Sequence, residues 1–143
     1  MDHLRGFWRD RRGGAEAVAF AGVIVLLMLV VLNLWPPLFT AYQYSNLTRV
    51  HRQTLLGMEV AGGLTLALEE RALEELARWG FDTSQVEISG TPAVVDYGGT
   101  VSLTIRYRYT YRSYAFSDFL LYPVDTPRVM AAAGSSVSFN FQK

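Results

Sequence analysis

The pattern of hydrophobic and polar positions begins with a long uncharged segment. Residues 17–48 contain no Asp, Glu, Lys or Arg, and residues 17–32 are an unbroken apolar run. A helix over residues 17–35 is about 28 Å long at about 1.5 Å per residue, which matches a bilayer core of about 30 Å. Trp35 follows, at the depth where aromatic side chains favour the headgroup boundary. The pattern predicts a transmembrane helix at residues 15–35.

Basic residues on one side of this helix predict its orientation. The leader, residues 1–14, has four arginines against two aspartates. These arginines are Arg5, Arg9, Arg11 and Arg12. Because cytoplasmic flanks are enriched in Arg and Lys, we expect a cytoplasmic N-terminus and a chain that lies outside from about residue 36. A cleaved signal peptide is the alternative, but the run continues into Asn-Leu-Trp-Pro-Pro, which lacks a small-residue cleavage site and favours a retained anchor.

A second pattern, with apolar or small residues three or four positions apart, predicts an amphipathic helix over residues 36–80. Pro36 and Pro37 are expected to kink or restart the helix, and Gly80 is expected to cap its end. Gly62 and Gly63 interrupt the pattern, which is compatible with a hinge, a break or a close approach of another backbone. The helical stripe consists of Leu47, Val50, Thr54, Met58, Ala61, Thr65, Leu68, Ala72, Leu76 and Trp79.

A period of two replaces the helical period from Val86 onward. Val101, Leu103 and Ile105 alternate with polar residues, which predicts a long amphipathic strand. The turn signal Asp-Tyr-Gly-Gly at residues 96–99 predicts residues 93–95 as its hairpin partner.

The end of the chain predicts one more strand. Val137, Phe139 and Phe141 alternate with polar residues, whereas residues 114–127 are interpreted as an irregular connection. We therefore expect an α+β fold in which residues 81–143 form an antiparallel sheet of three or four strands. The sheet is expected to pack on the amphipathic helix and to bury Val137 and Phe139 with Leu103 and Ile105.

Composition excludes several functional classes. Acidic and basic residues number 13 each, so the chain has no net positive charge that would favour binding to nucleic acid. The chain has no cysteine and only two histidines, which argues against thiolate or histidine-rich metal sites, and no cofactor is expected. The sequence has no phosphate-binding glycine loop, no carboxylate pair and no catalytic triad pattern. We do not expect an enzyme.

Two sets of side chains on the long strand have alternative interpretations. The arginines could bind an acidic partner or form a solvated face that discourages edge aggregation. The tyrosines could form a carbohydrate or subunit contact or belong to the core face. The arginines are Arg106, Arg108 and Arg112, and the tyrosines are Tyr107, Tyr109, Tyr111 and Tyr114.

An arginine-rich leader ending in glycine, a nearby glutamate, a hydrophobic helix and a small sheet domain together resemble pilin-like proteins of the type IV filament superfamily. Residues 11–20, Arg-Arg-Gly-Gly-Ala-Glu-Ala-Val-Ala-Phe, are similar to the start of TadE-like pseudopilins of tight-adherence systems. The Leu-Trp-Pro-Pro-Leu-Phe segment and the closing Ala-Gly-Ser-Ser-Val resemble small pilin-like bacterial membrane proteins.

The resemblance implies that a prepilin peptidase cuts after a leader glycine, here Gly13 or Gly14, and that a glutamate, here Glu16, assists assembly. The register differs from the family pattern, since Glu16 becomes the third or second mature residue instead of the fifth. Glu16 has a second interpretation, a solvated ion pair with Arg12. Small residues that would permit close helix packing are Ala17, Ala19, Ala21 and Gly22.

Two functional classes follow. The first is a structural pilin-like subunit of a type IV, tight-adherence, secretion or conjugation pilus assembly. It is anchored with the N-terminus cytoplasmic, partners with itself or related subunits, and reaches a cell-surface filament after processing. The alternative is a single-pass accessory or binding protein with an extracytoplasmic β domain. The distinction between major subunit, minor subunit and assembly factor stays open.

Overall fold

The computed structural model describes residues 11–92, 95–117 and 120–140. These form two compact units: the helix up to Pro37 with Ser113–Val124, and Leu38–Arg112 with the chain from Asp125 onward. The elements confirm the predicted α+β class with an antiparallel sheet. They are helix α1 (Arg11–Ala61), helix α2 (Leu66–Arg78), a 3-10 turn (Thr83–Gln85), and strands β1 (Val86–Gly90), β2 (Thr100–Ser117) and β3 (Leu120–Val137).

Helix α1 continues through its two prolines. The restart expected at Pro36 and Pro37 is wrong, because both residues lie inside one helix of 51 residues. Each proline removes one backbone hydrogen bond, but the fixed φ of about −65° is itself helical. Uninterrupted helical sequence on both sides outweighs the local loss.

The Gly62–Gly63 pair ends α1 and is also a point of close backbone approach. Gly62 has φ +78°, and a Cβ added there would lie 2.7 Å from the carbonyl oxygen of Val95. The Val95 N–H donates to Gly62 O at 3.0 Å, so only glycine fits this contact. The chain then restarts as α2 behind the N-cap Thr65, and Gly80, with φ +81°, follows the end of α2 as predicted.

Strands β1, β2 and β3 form one sheet in that order. β1 is antiparallel to β2, with Val86 opposite Tyr107 and Gly90 opposite Leu103. The predicted hairpin partner, residues 93–95, is therefore wrong for Val95, while Ala93 and Val94 lie outside the described residues. The predicted turn at residues 96–99 is present, since Gly99 N–H donates to Asp96 O at 3.0 Å. It precedes β2 but does not connect two strands of a hairpin.

The connection expected at residues 114–127 is also wrong, because β2 and β3 extend through most of it. Pro123 and Pro127 lie in β3, and an edge strand tolerates proline since one side of its backbone needs no ladder partner.

The burial predicted for Val137 and Phe139 is wrong as well. They are 46% and 55% exposed, whereas Met130 and Ala132 are buried. Successive strand residues point to opposite faces, so the second half of β3 turns its even-numbered positions from Met130 onward toward the core. Phe141 lies outside the described residues.

The core of the second unit combines one face of each helix with one face of the sheet. The predicted stripe of α1 and α2 and the predicted apolar face of β2 supply most of it. Its buried apolar members are Leu47, Val50, Met58, Ala72, Leu76, Phe81, Val101, Leu103, Ile105, Tyr107, Met130 and Ala132.

The segment after β3 forms hydrogen bonds with the C-terminal end of α1. Phe139 N–H donates to Glu59 O at 2.7 Å, and Asn140 Nδ2 donates to Ala61 O at 3.4 Å. Ser138 is fully buried and donates from Oγ to Val95 O at 3.0 Å. Two of the last carbonyls of α1 are therefore satisfied by residues after β3.

A matched pair of asparagine substitutions tests the alternation in β2. Ile105 is fully buried and Arg106, its neighbour, is exposed. Ile105→Asn places an amide in the core and should lower the free energy of unfolding by about 3 kcal/mol. Arg106→Asn should cost less than about 1 kcal/mol. Asparagine is used because Glu87 lies opposite Arg106, where a new carboxylate would add repulsion. Denaturant unfolding of the full chain in detergent measures both, and equal costs would contradict the assigned faces.

Candidate membrane-contacting and assembly surface

The apolar part of α1 is exposed along most of its length. Val18, Phe20 and Trp35 are 73%, 68% and 69% exposed, and none of the most apolar window of the helix is buried. This is one helix long and apolar enough to cross a membrane. Such a surface is stable only when lipid or other apolar side chains cover it.

One face of this helix is an exception. Leu29, Leu32 and Pro36 are half-buried and lie three or four residues apart, so they share a face. Asn33 lies on the same face, and its Oδ1 accepts a hydrogen bond from the Tyr114 N–H at 3.3 Å. The β2–β3 hairpin therefore meets the helix here.

The Asn33 side chain satisfies backbone groups on both elements. Its Nδ2 donates to Leu29 O, one turn earlier, at 3.0 Å, which leaves Oδ1 to accept from Tyr114. Among the described residues, β1 pairs with β2 only as far as Tyr107, and no strand neighbour lies on the β1 side of β2 at Tyr114. Asn33 supplies an acceptor for the Tyr114 N–H there.

Small residues lie near the start of the helix. Ala17 and Ala21 are exposed and one turn apart, so they share a face. No atom lies within 4 Å of the position that a Cβ would take at Gly14 or Gly22. The described structure therefore leaves room for a second helix to approach closely.

The leader residues divide into described and undescribed positions. Gly13 and Gly14 are helical, and the side chain of Glu16 is exposed. Arg5 and Arg9 lie outside the described residues, as do the side chains of Arg11 and Arg12. The Glu16–Arg12 pair therefore stays a prediction.

Two of the three strand arginines have carboxylate partners. Arg112 Nε and Nη2 donate to the two oxygens of Asp125 at 2.7 and 2.8 Å, and this bidentate pair lowers the pKa of the Asp125 carboxyl. Arg108 Nη2 lies 3.6 Å from Glu87 Oε2 across the β1–β2 ladder. These exposed pairs favour the interpretation of a solvated sheet face.

The strand tyrosines begin in the core and become more exposed along β2. Tyr107 is buried and meets the Phe81 ring edge-on, with centroids 4.9 Å apart. Tyr109, half-buried, stacks on Tyr107 at 6.0 Å, and the Arg128 guanidinium lies 4.4 Å from the Tyr111 ring centre. This arrangement favours the core interpretation for Tyr107.

The described residues contain no group of three or more His, Cys, Asp or Glu that could hold a metal ion. His51 is buried under the sheet, and its Nε2 lies 3.0 Å from Leu103 O, which ties α1 to β2.

Comparisons with protein-family models, with curated proteins and with solved structures find no match to this chain. The resemblance to type IV filament subunits therefore depends on the sequence features alone. Sequence reasoning missed the role of Asn33, although a single amide directly after an apolar run was a usable signal.

Replacing Asn33 tests the contact between helix and hairpin. Asn33→Val removes both side-chain hydrogen bonds and leaves the Tyr114 N–H without its acceptor. We expect faster hydrogen exchange at the Tyr114 amide in detergent micelles, measured by NMR. Thr48→Val is the control, because Thr48 Oγ1 bonds only to Tyr44 O of its own helix, at 2.9 Å. An unchanged exchange rate in Asn33→Val would contradict the bond.

Proposed function

We propose that the chain is a pilin-like structural subunit of a type IV or tight-adherence-type filament, or of a related secretion or conjugation pilus. It is anchored by residues 15–35 of α1 and assembles through the same helix. The observation that carries the proposal is the apolar helix whose surface stays exposed, with small residues at its start. Lipid covers such a helix before assembly, and neighbouring helices cover it afterwards.

The small residues support assembly beyond simple anchoring. Between helices in lipid the gain comes from close packing, because lipid tails are as apolar as leucine. Ala17 and Ala21 share one face, and Gly14 lies within 60° of it at 100° per residue. A helix that served only as an anchor would need no such face.

Glu16 has a role in this scheme. Its exposed carboxylate lies at the edge of the apolar segment, where an acidic group usually has a partner. In the proposed assembly that partner is the amino terminus of a neighbouring subunit, which a prepilin peptidase frees by cutting after Gly13 or Gly14. N-terminal sequencing of protein recovered from cells tests the cleavage: a new terminus at Gly14 or Ala15 supports it.

The alternative function is a membrane-anchored accessory or binding protein with an extracytoplasmic β domain. The same exposed helix supports the anchor, and the sheet domain is the part that would meet a partner. The two functions differ in whether the helix makes specific contacts with other helices.

The proposed topology places the arginine-rich leader in the cytoplasm and the sheet outside. Protease added to intact cells, or to spheroplasts if an outer membrane is present, should remove an epitope after Lys143 and spare one at Met1. Detergent-permeabilised cells are the control, in which both epitopes should be lost. Removal of only the Met1 epitope in intact cells would contradict the orientation.

Assembly is tested by leucine substitutions on opposite sides of the helix. Ala21→Leu fills the small-residue face and should abolish filaments or crosslinked oligomers while membrane abundance stays normal. Val23→Leu enlarges an exposed side chain that is already large, about 160° away from Ala21 at 100° per residue, and should assemble at nearly the normal level. Electron microscopy and crosslinking measure the two variants.

Glu16→Ala completes this test. It makes the segment more apolar, so membrane insertion should be normal or improved while assembly is lost. Glu16→Asp keeps the charge and should retain partial assembly. Normal assembly in both Ala21→Leu and Glu16→Ala would favour the accessory-protein alternative.

A further inference from the structure

An open cavity of about 320 Å³ lies between α1 and the end of α2, within the second unit. α1 contributes Arg49 and Gln53 to its lining, and the end of α2 contributes Glu75, Arg78 and Trp79. This volume is near the lower end of the range of about 300–1,000 Å³ that is typical of small-molecule sites. The cavity is therefore large enough for a small ligand, and none of its residues belongs to the proposed span.

Hydrogen-bond donors make up most of this lining. Four of the five side chains carry N–H groups: the guanidinium groups of Arg49 and Arg78, the amide of Gln53 and the indole of Trp79. Within the part of the chain that the structure describes, neither guanidinium has a carboxylate within 4 Å, and none of the four donors has a hydrogen-bond acceptor. The Glu75 carboxylate already has a cationic partner, Arg71, whose Nε lies 3.7 Å from its Oε1. The lining therefore offers two unpaired positive charges and several unused donors.

Arg49 lies over the ring of Trp79. Its guanidinium carbon is 5.9 Å from the ring centre. A guanidinium on an aromatic face keeps its in-plane N–H groups available, and their fork geometry matches the oxygen atoms of a carboxylate or a phosphate. Because Trp79 is 38% exposed, its ring also offers apolar surface beside the charged groups.

Arg78 lies in the last turn of α2, where basic side chains often bond to the carbonyl groups that end a helix. Here backbone N–H groups bond to these carbonyls instead. Trp79 N–H donates to Glu75 O at 3.2 Å, and Gly80 N–H donates to Ala77 O at 3.0 Å. Capping of the helix therefore does not account for the Arg78 side chain, whose donors face no acceptor among the described residues.

We propose that this cavity binds a small molecule through a phosphate or carboxylate group. Arg49 and Arg78 bind the oxyanion, and Gln53 and the Trp79 indole N–H supply further hydrogen bonds to it. The Trp79 ring contacts the part of the ligand next to the oxyanion. The site does not depend on the anchoring or the assembly of α1, so a filament subunit and an accessory protein would both have it.

The indole N–H of Trp79 reports on the cavity by NMR. The chain has three tryptophans, and Trp79→Phe assigns the resonance in spectra of the full chain in uncharged detergent micelles. Inorganic phosphate and succinate are titrated at constant ionic strength, and a saturable shift with at least one of them is expected. Arg49→Gln and Arg78→Gln should each weaken binding about tenfold or more, because each removes a charged donor. Arg52→Gln is the matched control, an exposed arginine of α1 outside the lining, and should bind as the unchanged chain does.

The proposal is overturned if neither probe gives a saturable shift, or if Arg49→Gln and Arg78→Gln bind as tightly as Arg52→Gln. An acidic side chain of a second copy is the competing occupant. It would shift the Trp79 resonance as the protein concentration rises, without added anion. That result would overturn the proposal of a small ligand and assign the cavity to contacts between subunits.

Discussion

The constraint on which the rest of the structure depends is that one helix has two kinds of surface, an exposed apolar one and a buried stripe. α1 runs for 51 residues, and its first part has side chains that only lipid or other helices can cover. Its second part has the buried stripe of Leu47, Val50 and Met58, on which the second unit builds its core. The same helix therefore contains the candidate membrane span and contributes part of the core of the second unit.

Polar side chains and the residues after β3 provide hydrogen-bond partners for backbone groups that join separate segments of the chain. Asn33 serves both its own helix and the N–H of Tyr114. In the second unit, His51 bonds to the carbonyl of Leu103, and the residues after β3 satisfy the end of α1. Each of these side chains joins segments far apart in sequence, so their contribution is to specify which segments meet as well as to stabilise them.

The elements with strong periodicity could be predicted from the sequence. The apolar helix, the stripe of α1 and α2, the C-cap Gly80 and the buried face of β2 all follow from spacings that local geometry dictates. The predictions at the prolines were wrong because the surrounding helix or sheet outweighs the tendency of proline to interrupt an element. Pro36 and Pro37 lie in a helix long enough to continue through them, and Pro123 and Pro127 are tolerated because β3 is an edge strand. The small residues near the start of the helix could be identified from the sequence. The role of Asn33 could not, because it comes from a bond to a strand residue 81 positions away.

The contacts between the end of α1 and residues 136–140 set an order of events in biosynthesis. Asn140 reaches back 79 residues to Ala61, and Ser136 reaches back 77 residues to Glu59. A ribosome that adds about 5–20 residues per second delivers the apolar helix several seconds before these partners exist. The apolar helix is therefore made before the residues after β3 that bond to the end of α1, so this candidate span can form while the C-terminal end of α1 still lacks these partners.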